Sequence, residues 1–433
     1  MIKIIAYTAI ASFCFAPIYI SLPIFAALTI LGQRGVLIFL MLLSCVASNI
    51  KGMYTPINYI LFTGAFFAYI IREKQTKISD RKLVGLLVFL SSIQVYGFTI
   101  GQLNINYNDE LLRLKDYISL IFSILFPYAG ILISQTIKIK DESVKASLIA
   151  ILIFLCMVVG IQLVVNPLAL IPSGLENSYS EKGQLVGIGE GDALRSFGPT
   201  TGPNALALVT LFLYIISKNV RGTRLFRGFT ASTSLIITIL TYSKSSLITF
   251  LLFVISKYAT RITLKNALKI IALISVFGGL LVLNSSNLLE RFRIGDEIED
   301  FGTRAIVYSH MLFDFDKFKY IYGIGPYTWR EYFDTELGLD IQDPHSWIFS
   351  IPGGYGVIGI IFYVKLTLYL FSIYKNYKEV IARQLIIGVL LIYFVKDIAS
   401  IPAPLGTTHF TFLFWLLIGI VSIQSKLVSE KNN

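Results

Sequence analysis

Charge is what this sequence has least of. Only 15% of its 433 residues are Asp, Glu, Lys or Arg, against about 25% in soluble domains. A surface so poor in charge does not stay dissolved. Cysteine and histidine are scarce too, with three of each. Cys14, Cys45 and Cys156 all fall inside apolar runs, which suits small hydrophobes and argues against a disulfide framework. No Cys/His spacing has the pattern of a zinc site. The glycines of Gly187-Ile188-Gly189-Glu190-Gly191 lack the strand–turn–helix setting that a nucleotide-binding loop needs. There is no internal repeat of fixed short period and no low-complexity stretch.

What is present is apolar sequence, spread evenly. Hydrophobic residues make up 55% of the chain and the mean hydropathy is +0.71. These values predict an all-α, polytopic membrane protein, with residues 1–433 forming one membrane-embedded unit and about 12–14 transmembrane helices. Spans are expected near 36–50, 55–71, 83–100, 117–137, 146–166, 203–218, 229–241, 244–258, 267–284, 346–374, 384–399 and 408–424, with one or two more within 3–31. The 229–241 and 244–258 pair is short for a straight crossing. The first apolar run has the basic flank of a signal peptide in Lys3, but it continues past Pro17 and Pro23 to Leu31. That is too long for a signal's apolar region, so a first membrane segment is expected.

The net charge of +11 would suggest nucleic acid if it covered a soluble surface. Here the basic residues sit in short loops, as in Lys218, Arg221, Arg224 and Arg227, or Lys257, Arg261, Lys265 and Lys269. The better reading is topological, with these loops and the C-terminus cytoplasmic and no nucleic-acid partner. Two long loops, 167–202 and 285–345, then fall on the outer side. The second has six basic and twelve acidic residues, and loops of such length are usually functional.

Four places on that side could carry chemistry. Arg195 precedes Gly198-Pro199 and Gly202-Pro203-Asn204 at the start of a span. Pro203 suits a helix first turn, whose free N–H groups favour anions; a snorkelling Arg195 in a rigid loop accounts for it equally well. Lys244 lies in the tight turn Thr241-Tyr242-Ser243-Lys244, where ammonium and hydroxyls suit a phosphate oxygen, and where interfacial anchoring is the plainer reading. Arg304 and Tyr308 lie one turn apart in 303–313, which reads as a short helix. Arg304 has the planar fork that binds diphosphate, and many nearby acids with which to form an ordinary salt bridge. His345 stands beside Trp347 at the end of the large loop. A neutral imidazole there could take a proton from a sugar hydroxyl, although most lone histidines at an interface are structural. His310 and His409 are weaker candidates. The run Asp296-Glu297-Glu299-Asp300 reads as solvated charge rather than a cation site.

Taken in order, these places resemble the O-antigen ligase/polymerase superfamily of bacterial envelope glycosyltransferases. Arg195 through Asn204 matches the family's Arg–Gly–x–Pro-Asn segment. Thr241-Tyr242-Ser243 matches its Thr-x-Ser-Arg turn, with Lys244 in the Arg position. Arg304 matches the loop's Arg-x-x-x-Trp, with Tyr308 for Trp; Gly323-Ile324-Gly325 matches its Gly-x-Gly; His345 matches its His-Asn, with Ser346 for Asn. The likeness covers about residues 190–360, and the N-terminal half shares only hydropathy.

The resemblance implies a GT-C-like membrane fold with a large periplasmic loop, in the bacterial inner membrane. It implies transfer of glycan from undecaprenyl diphosphate to an acceptor at the periplasmic face, with polymerisation of lipid-linked repeat units preferred over ligation to lipid A core. Arg195, Lys244 and Arg304 would clamp the diphosphate and His345 would act as general base, giving inversion. Tyr308, Asn204, Arg291 and Arg293 are secondary candidates. No metal or cofactor is expected. The expected partners are the lipid-linked glycans, membrane lipids and a protein that sets chain length. The alternative from another class is a lipid-linked oligosaccharide flippase, disfavoured because midplane charges are scarce.

Overall fold

The structure is a computed structural model of the chain. It describes the chain outside residues 48, 51–52, 75–76, 105–109, 138–140, 166–169, 171–197, 201–202, 221, 242, 260–305, 340–343, 345, 377–379, 397–404, 406–408 and 431–433. The expected 267–284 span lies outside the described residues. In chain order the helices are α1 (Ile2–Ser12), α2 (Ile18–Leu31), α3 (Arg34–Val46), α4 (Thr55–Glu73), α5 (Arg81–Asn104), α6 (Glu110–Ser134), α7 (Glu142–Val164), α8 (Pro203–Asn219), α9 (Arg224–Leu240), α10 (Lys244–Ala259), α11 (Lys319–Tyr322), α12 (Trp329–Leu337), α13 (Trp347–Asn376), α14 (Val380–Leu391) and α15 (His409–Glu430). A two-residue antiparallel ladder, Asn49–Ile50 with Met53–Tyr54, is the exception to an all-α fold among the described residues. Among the described residues, four segments are long and apolar enough to cross a membrane: Arg81–Leu103, Asp116–Ser134, Glu142–Val164 and Trp347–Lys375. Shorter apolar helices accompany them.

The chain folds into two compact units. The first comprises Met1–Lys77 and Gln135–Leu288, the second Ile78–Ser134 and Leu289–Asn433.

In the first unit the polarity of α9 is reversed from that of a soluble helix. Thr230, Thr233, Ser234 and Thr238 face inward while Leu225, Phe229 and Ile236 are exposed. In water this arrangement would cost solvation on both faces; against lipid it is the favourable one. Thr230 and Thr238 donate back along the helix, Thr238 Oγ1 to the Ser234 carbonyl at 2.7 Å and Thr230 Oγ1 to the Arg227 carbonyl at 3.2 Å, and both also meet α8. Thr210 lies 3.4 Å from Thr238, and Ser217 3.4 Å from Thr230. Such hydroxyl pairs join helices where no hydrophobic effect can.

Basic residues gather at one end of this unit. Arg34, opening α3, lies 3.0 Å from Asp141 and 3.8 Å from Glu73, and donates to the Thr136 carbonyl. Asp141 meanwhile caps α7 by accepting from the Ser143 and Val144 amides. Arg72 donates to the carbonyls of Ile30 and Leu31. Lys3 donates to Ser143 at 3.0 Å, and the Lys145 ammonium lies over Phe226. These contacts bring both ends of residues 2–31 to the same place, with the turn between them at Phe13–Phe15 and Pro17. Each arm is about 21 Å long, short of the ~30 Å of a bilayer core. The expected first membrane segment is therefore a pair of half-length helices.

In the second unit α15 is the buried centre, with residues 411–422 enclosed throughout. It lies tight against α6. A Cβ on Gly130 would fall 2.7 Å from the Phe412 carbonyl oxygen, and one on Gly419 would strike the Ser134 hydroxyl at 2.1 Å. At one end Asp80 holds three helices. Its Oδ1 accepts from the Lys82 and Leu83 amides that open α5. Its Oδ2 accepts from Tyr369 Oη of α13 at 3.2 Å and Ser422 Oγ of α15 at 2.6 Å.

The expected 346–374 span is not one straight helix. Gly356 within α13 has φ 65° and ψ −157°, and the chain reverses there. A Cβ on Gly359 would lie 3.1 Å from the Ile351 carbonyl oxygen, a distance no continuous helix allows at that spacing. The 347–355 arm thus folds back along the arm that begins at 357. The second arm alone is about 30 Å long, enough for one crossing.

Candidate functional site

The described parts of two of the four predicted places, Gly198 with Asn204 and the turn at Thr241 and Ser243, lie at one end of the first unit. Gln162, buried near the end of α7, uses its amide in both directions. Its Nε2 donates to the Gly198 carbonyl at 3.0 Å, and its Oε1 accepts from the Gly198 amide at 2.8 Å. Gly198 is left-handed, with φ 58°, so this hairpin-like clasp fixes a turn other residues rarely adopt. The next described element is α8, with exposed Asn204 in its first turn. The antiparallel α8–α9 register set by Ser217–Thr230 and Thr210–Thr238 brings Asn204 level with the 241–244 turn. There Thr241, Ser243 and Ser246 are buried, Ser243 Oγ donates to Ser246 Oγ at 3.1 Å, and Lys244 opens α10. The backbone of Lys244 is described; its side chain is not.

Arg195, Arg291, Arg293, Arg304 and His345 lie outside the described residues. Of the loop helix expected over 303–313, residues 306–309 are α-helical and His310–Asp314 form a π-turn. Tyr308 packs its ring on Phe349 of the 347–355 arm, with centroids 5.1 Å apart. The two residues that follow His345 are placed: Ser346 is buried and Trp347 opens α13.

Gly323-Ile324-Gly325 has a clear structural role. Breaking α13 at Gly356 frees carbonyls that the helix would have bonded. The Ile324 amide donates to the Gly353 carbonyl at 2.8 Å and the Gly325 amide to the Gly354 carbonyl at 3.0 Å. Both motif glycines have positive φ, 80° and 95°. Side chains there would collide with the Gly354 carbonyl, at 2.5 Å, and with Gly101 Cα of α5, at 2.5 Å. The motif therefore seals the re-entrant turn against α5.

Sequence reasoning missed two constellations in the second unit. The first centres on buried Gln94 of α5. Its Nε2 donates to the Leu405 carbonyl at 3.0 Å, and its Oε1 accepts from Tyr355 Oη at 3.0 Å and Tyr327 Oη at 3.3 Å. A glutamine inside a predicted span was its one visible signal. The second joins His310 and Tyr332. His310 Nε2 lies 2.8 Å from Tyr332 Oη, and Asp314 lies 3.9 Å from Nδ1. Burial, and then the negative field of Glu336, Tyr320, Asp316 and Asp314, raises the Tyr332 phenol above its ordinary pKa. The pair ties the π-turn to α12 within an aromatic cluster of Met311, Phe315, Trp329 and Phe333. Among the described residues no group of three or more His, Cys, Asp or Glu could hold a metal ion.

No family model and no curated protein sequence matches the chain.

Proposed function

We propose that this protein is a glycosyltransferase that polymerises undecaprenyl-diphosphate-linked repeat units into O-antigen or a related surface polysaccharide. It would do so at the periplasmic face of a bacterial inner membrane. In this reading the chain crosses 12–14 times in a GT-C-like arrangement, with residues 285–345 periplasmic and the C-terminus cytoplasmic. The observation that carries the reading is the level alignment of the Gly198–Asn204 segment with the 241–244 turn, at the end of the first unit opposite its basic cluster. That alignment supports treating the two motifs as neighbours along the helix axes.

Arg195, Lys244 and Arg304 would stabilise the charge that develops on the diphosphate as the anomeric C–O bond breaks. His345 would take the proton of the acceptor hydroxyl while that oxygen attacks the anomeric carbon, so that undecaprenyl diphosphate leaves and the configuration inverts. The group that sets chain length would be a separate protein. Purified protein given lipid-linked repeat should lengthen glycan without an ion gradient, and Arg304→Ala and His345→Ala should abolish long chains at unchanged protein level. Lipopolysaccharide gels of a deletion strain separate polymerase from ligase. Core bearing a single repeat supports polymerisation; bare core with accumulated lipid-linked polymer supports ligation to lipid A core.

One observation favours a second reading. A helix broken at membrane depth is a transporter feature, and α13 is so broken. Its freed Gly353 and Gly354 carbonyls, however, are taken by Ile324 and Gly325 rather than left for a substrate. Movement of lipid between leaflets with no glycan growth in the same assay would favour the flippase.

A further inference from the structure

The segment leading into Gly323 carries large apolar side chains that the described residues leave exposed. Phe313 is 80% exposed, Phe318 69% and Tyr322 58%, with Leu312 and Ile321 beside them. The same segment encloses Met311 and Phe315 completely, so it is folded and its outward face is selected rather than unpacked. Patches of this kind on a soluble surface mark an interaction site.

Two independent measures place this face within the thickness of a bilayer. Tyr96 Oη of α5 donates to the Tyr322 carbonyl at 2.8 Å, and Tyr96 lies about 22 Å along α5 from Arg81. Gly356, whose Cβ position meets the Ile321 carbonyl oxygen at 2.2 Å, lies about 20 Å along α13 from Tyr369, the residue bonded to Asp80. With the charged Asp80–Lys82 end at one surface, both lengths fall short of the ~30 Å hydrocarbon core. Water does not reach that level on a lipid-facing surface. The neighbouring faces of α5 and α13 are lipid-like as well, with Val88, Val95, Val357 and Ile360 exposed.

The charges of the segment are compatible with this position. Asp314, Asp316, Lys317 and Lys319 all precede α11 or open it, as headgroup-level charges would. Lys319 has its ammonium over the Tyr332 ring, 4.7 Å from the centroid, turned toward the protein's own aromatic cluster.

We infer that Leu312, Phe313, Phe318, Ile321 and Tyr322 form a lipid-inserted wedge, so that these apolar side chains enter the leaflet while Asp314, Asp316 and Lys317 among them stay at headgroup level. The occupant of the patch is the acyl region of the bilayer, and apolar insertion with flanking charge is the physics of interfacial segments. The inference does not depend on the reaction proposed above.

The test labels single cysteines with an environment-sensitive fluorophore in the full chain. Cys156, exposed in the structure, is replaced by Ser, and buried Cys14 and Cys45 are retained. Phe318→Cys and Phe313→Cys report the wedge; Glu336→Cys, on the exposed face of α12, reports the aqueous side. The protein is reconstituted alone into vesicles of phosphatidylethanolamine and phosphatidylglycerol. The label at 318 should emit to the blue of that at 336. Phospholipids bearing nitroxides on their acyl chains should quench it several-fold more strongly than they quench 336, and aqueous iodide should do the reverse. If the Phe318→Cys protein does not fold, Phe313→Cys gives the same reading. Iodide quenching of the wedge labels would overturn the inference in favour of a solvated loop. Quenching by neither agent would overturn it in favour of a second copy of the chain.

Discussion

Trp347 lies face to face on Tyr363, with ring centroids 5.5 Å apart and planes 14° from parallel. Along a continuous helix about 24 Å would separate them. Their contact is the consequence of Gly356, and it decides how the second unit is read. Trp347, two residues after His345, begins an arm that runs back beside the span it precedes, and the aromatic stack continues through Tyr363 to Tyr393 at 4.8 Å. The end of the large loop is thus held against a packed membrane helix, not suspended from a flexible tether.

Gly356→Ala should therefore be severely destabilising. The backbone conformation there is open almost only to glycine, worth about 1–3 kcal/mol by itself, and a Cβ would lie 2.2 Å from the Ile321 carbonyl oxygen. Gly85→Ala in α5 is the control. Nothing lies within 4 Å of its Cβ position, so it should be neutral or stabilise by up to about 1 kcal/mol. Thermal unfolding of the detergent-purified variants checks both, and equal melting temperatures would refute the reversal at Gly356.

Gln162→Leu separates packing from hydrogen bonding. The substitution keeps bulk in a buried position but removes both bonds to Gly198, at about 1–3 kcal/mol for each backbone group left unpaired. The loss is local, so global melting should fall modestly while glycan extension falls much further. Activity in the reconstituted assay, set beside protein level, measures the difference; parallel losses would show that Gln162 only supports the fold.

The parts legible in the sequence were those written in hydropathy. The spans of α5, α6 and α7 follow from long apolar runs, and the start of α8 follows from Pro203, whereas the break at Pro17 lay hidden inside an apolar run that continues past it. The reversal at Gly356 was hidden because Gly353-Gly354-Tyr355-Gly356 is apolar on both sides, and hydropathy does not distinguish a turn from a crossing. The Gly323-Ile324-Gly325 motif stood out only through the family resemblance, and its partners Gly353, Gly354 and Gly101 are distant in sequence. Asn204 and Lys244 could be proposed as neighbours only through motif order; their common level came from hydroxyl pairs, a register that no periodicity encodes. Gln94 and the His310–Tyr332 pair were missed because each is a lone polar residue until the fold supplies its partner.

Tyr332 gives a prediction in pH. Its phenol is favoured in the protonated form by burial and by Glu336, Asp316 and Asp314, opposed by the ammonium of Lys319 over its ring. A group whose pKa is raised on folding contributes stability that is complete below its unfolded value, about 10 for Tyr, and is lost as pH rises beyond it. Melting temperature should therefore hold up to about pH 10 and decline as pH rises beyond it. Tyr332→Phe should flatten that decline while costing about 1 kcal/mol at neutral pH for the bond to His310. An unchanged alkaline limb in the variant would assign the decline to other groups.

Asp80 should prove a joint rather than a surface charge. Its carboxylate accepts from two amides that open α5 and from the hydroxyls of Tyr369 and Ser422, so α5, α13 and α15 share one anchor. Asp80→Ala removes a helix cap, about 1 kcal/mol, and withdraws the common acceptor from two buried hydroxyls. Tyr369 and Ser422 also bond each other, which limits the further cost to about 1–3 kcal/mol. Asp80→Asn keeps an oxygen for the α5 amides and presents an NH₂ group to two hydroxyls able to accept, so most of the stability should return. The order wild type, Asn, Ala in thermal unfolding is the expected result. If Asn were as damaging as Ala, the negative charge itself would be the requirement, and Asp80 would act on its surroundings electrostatically rather than through these four bonds.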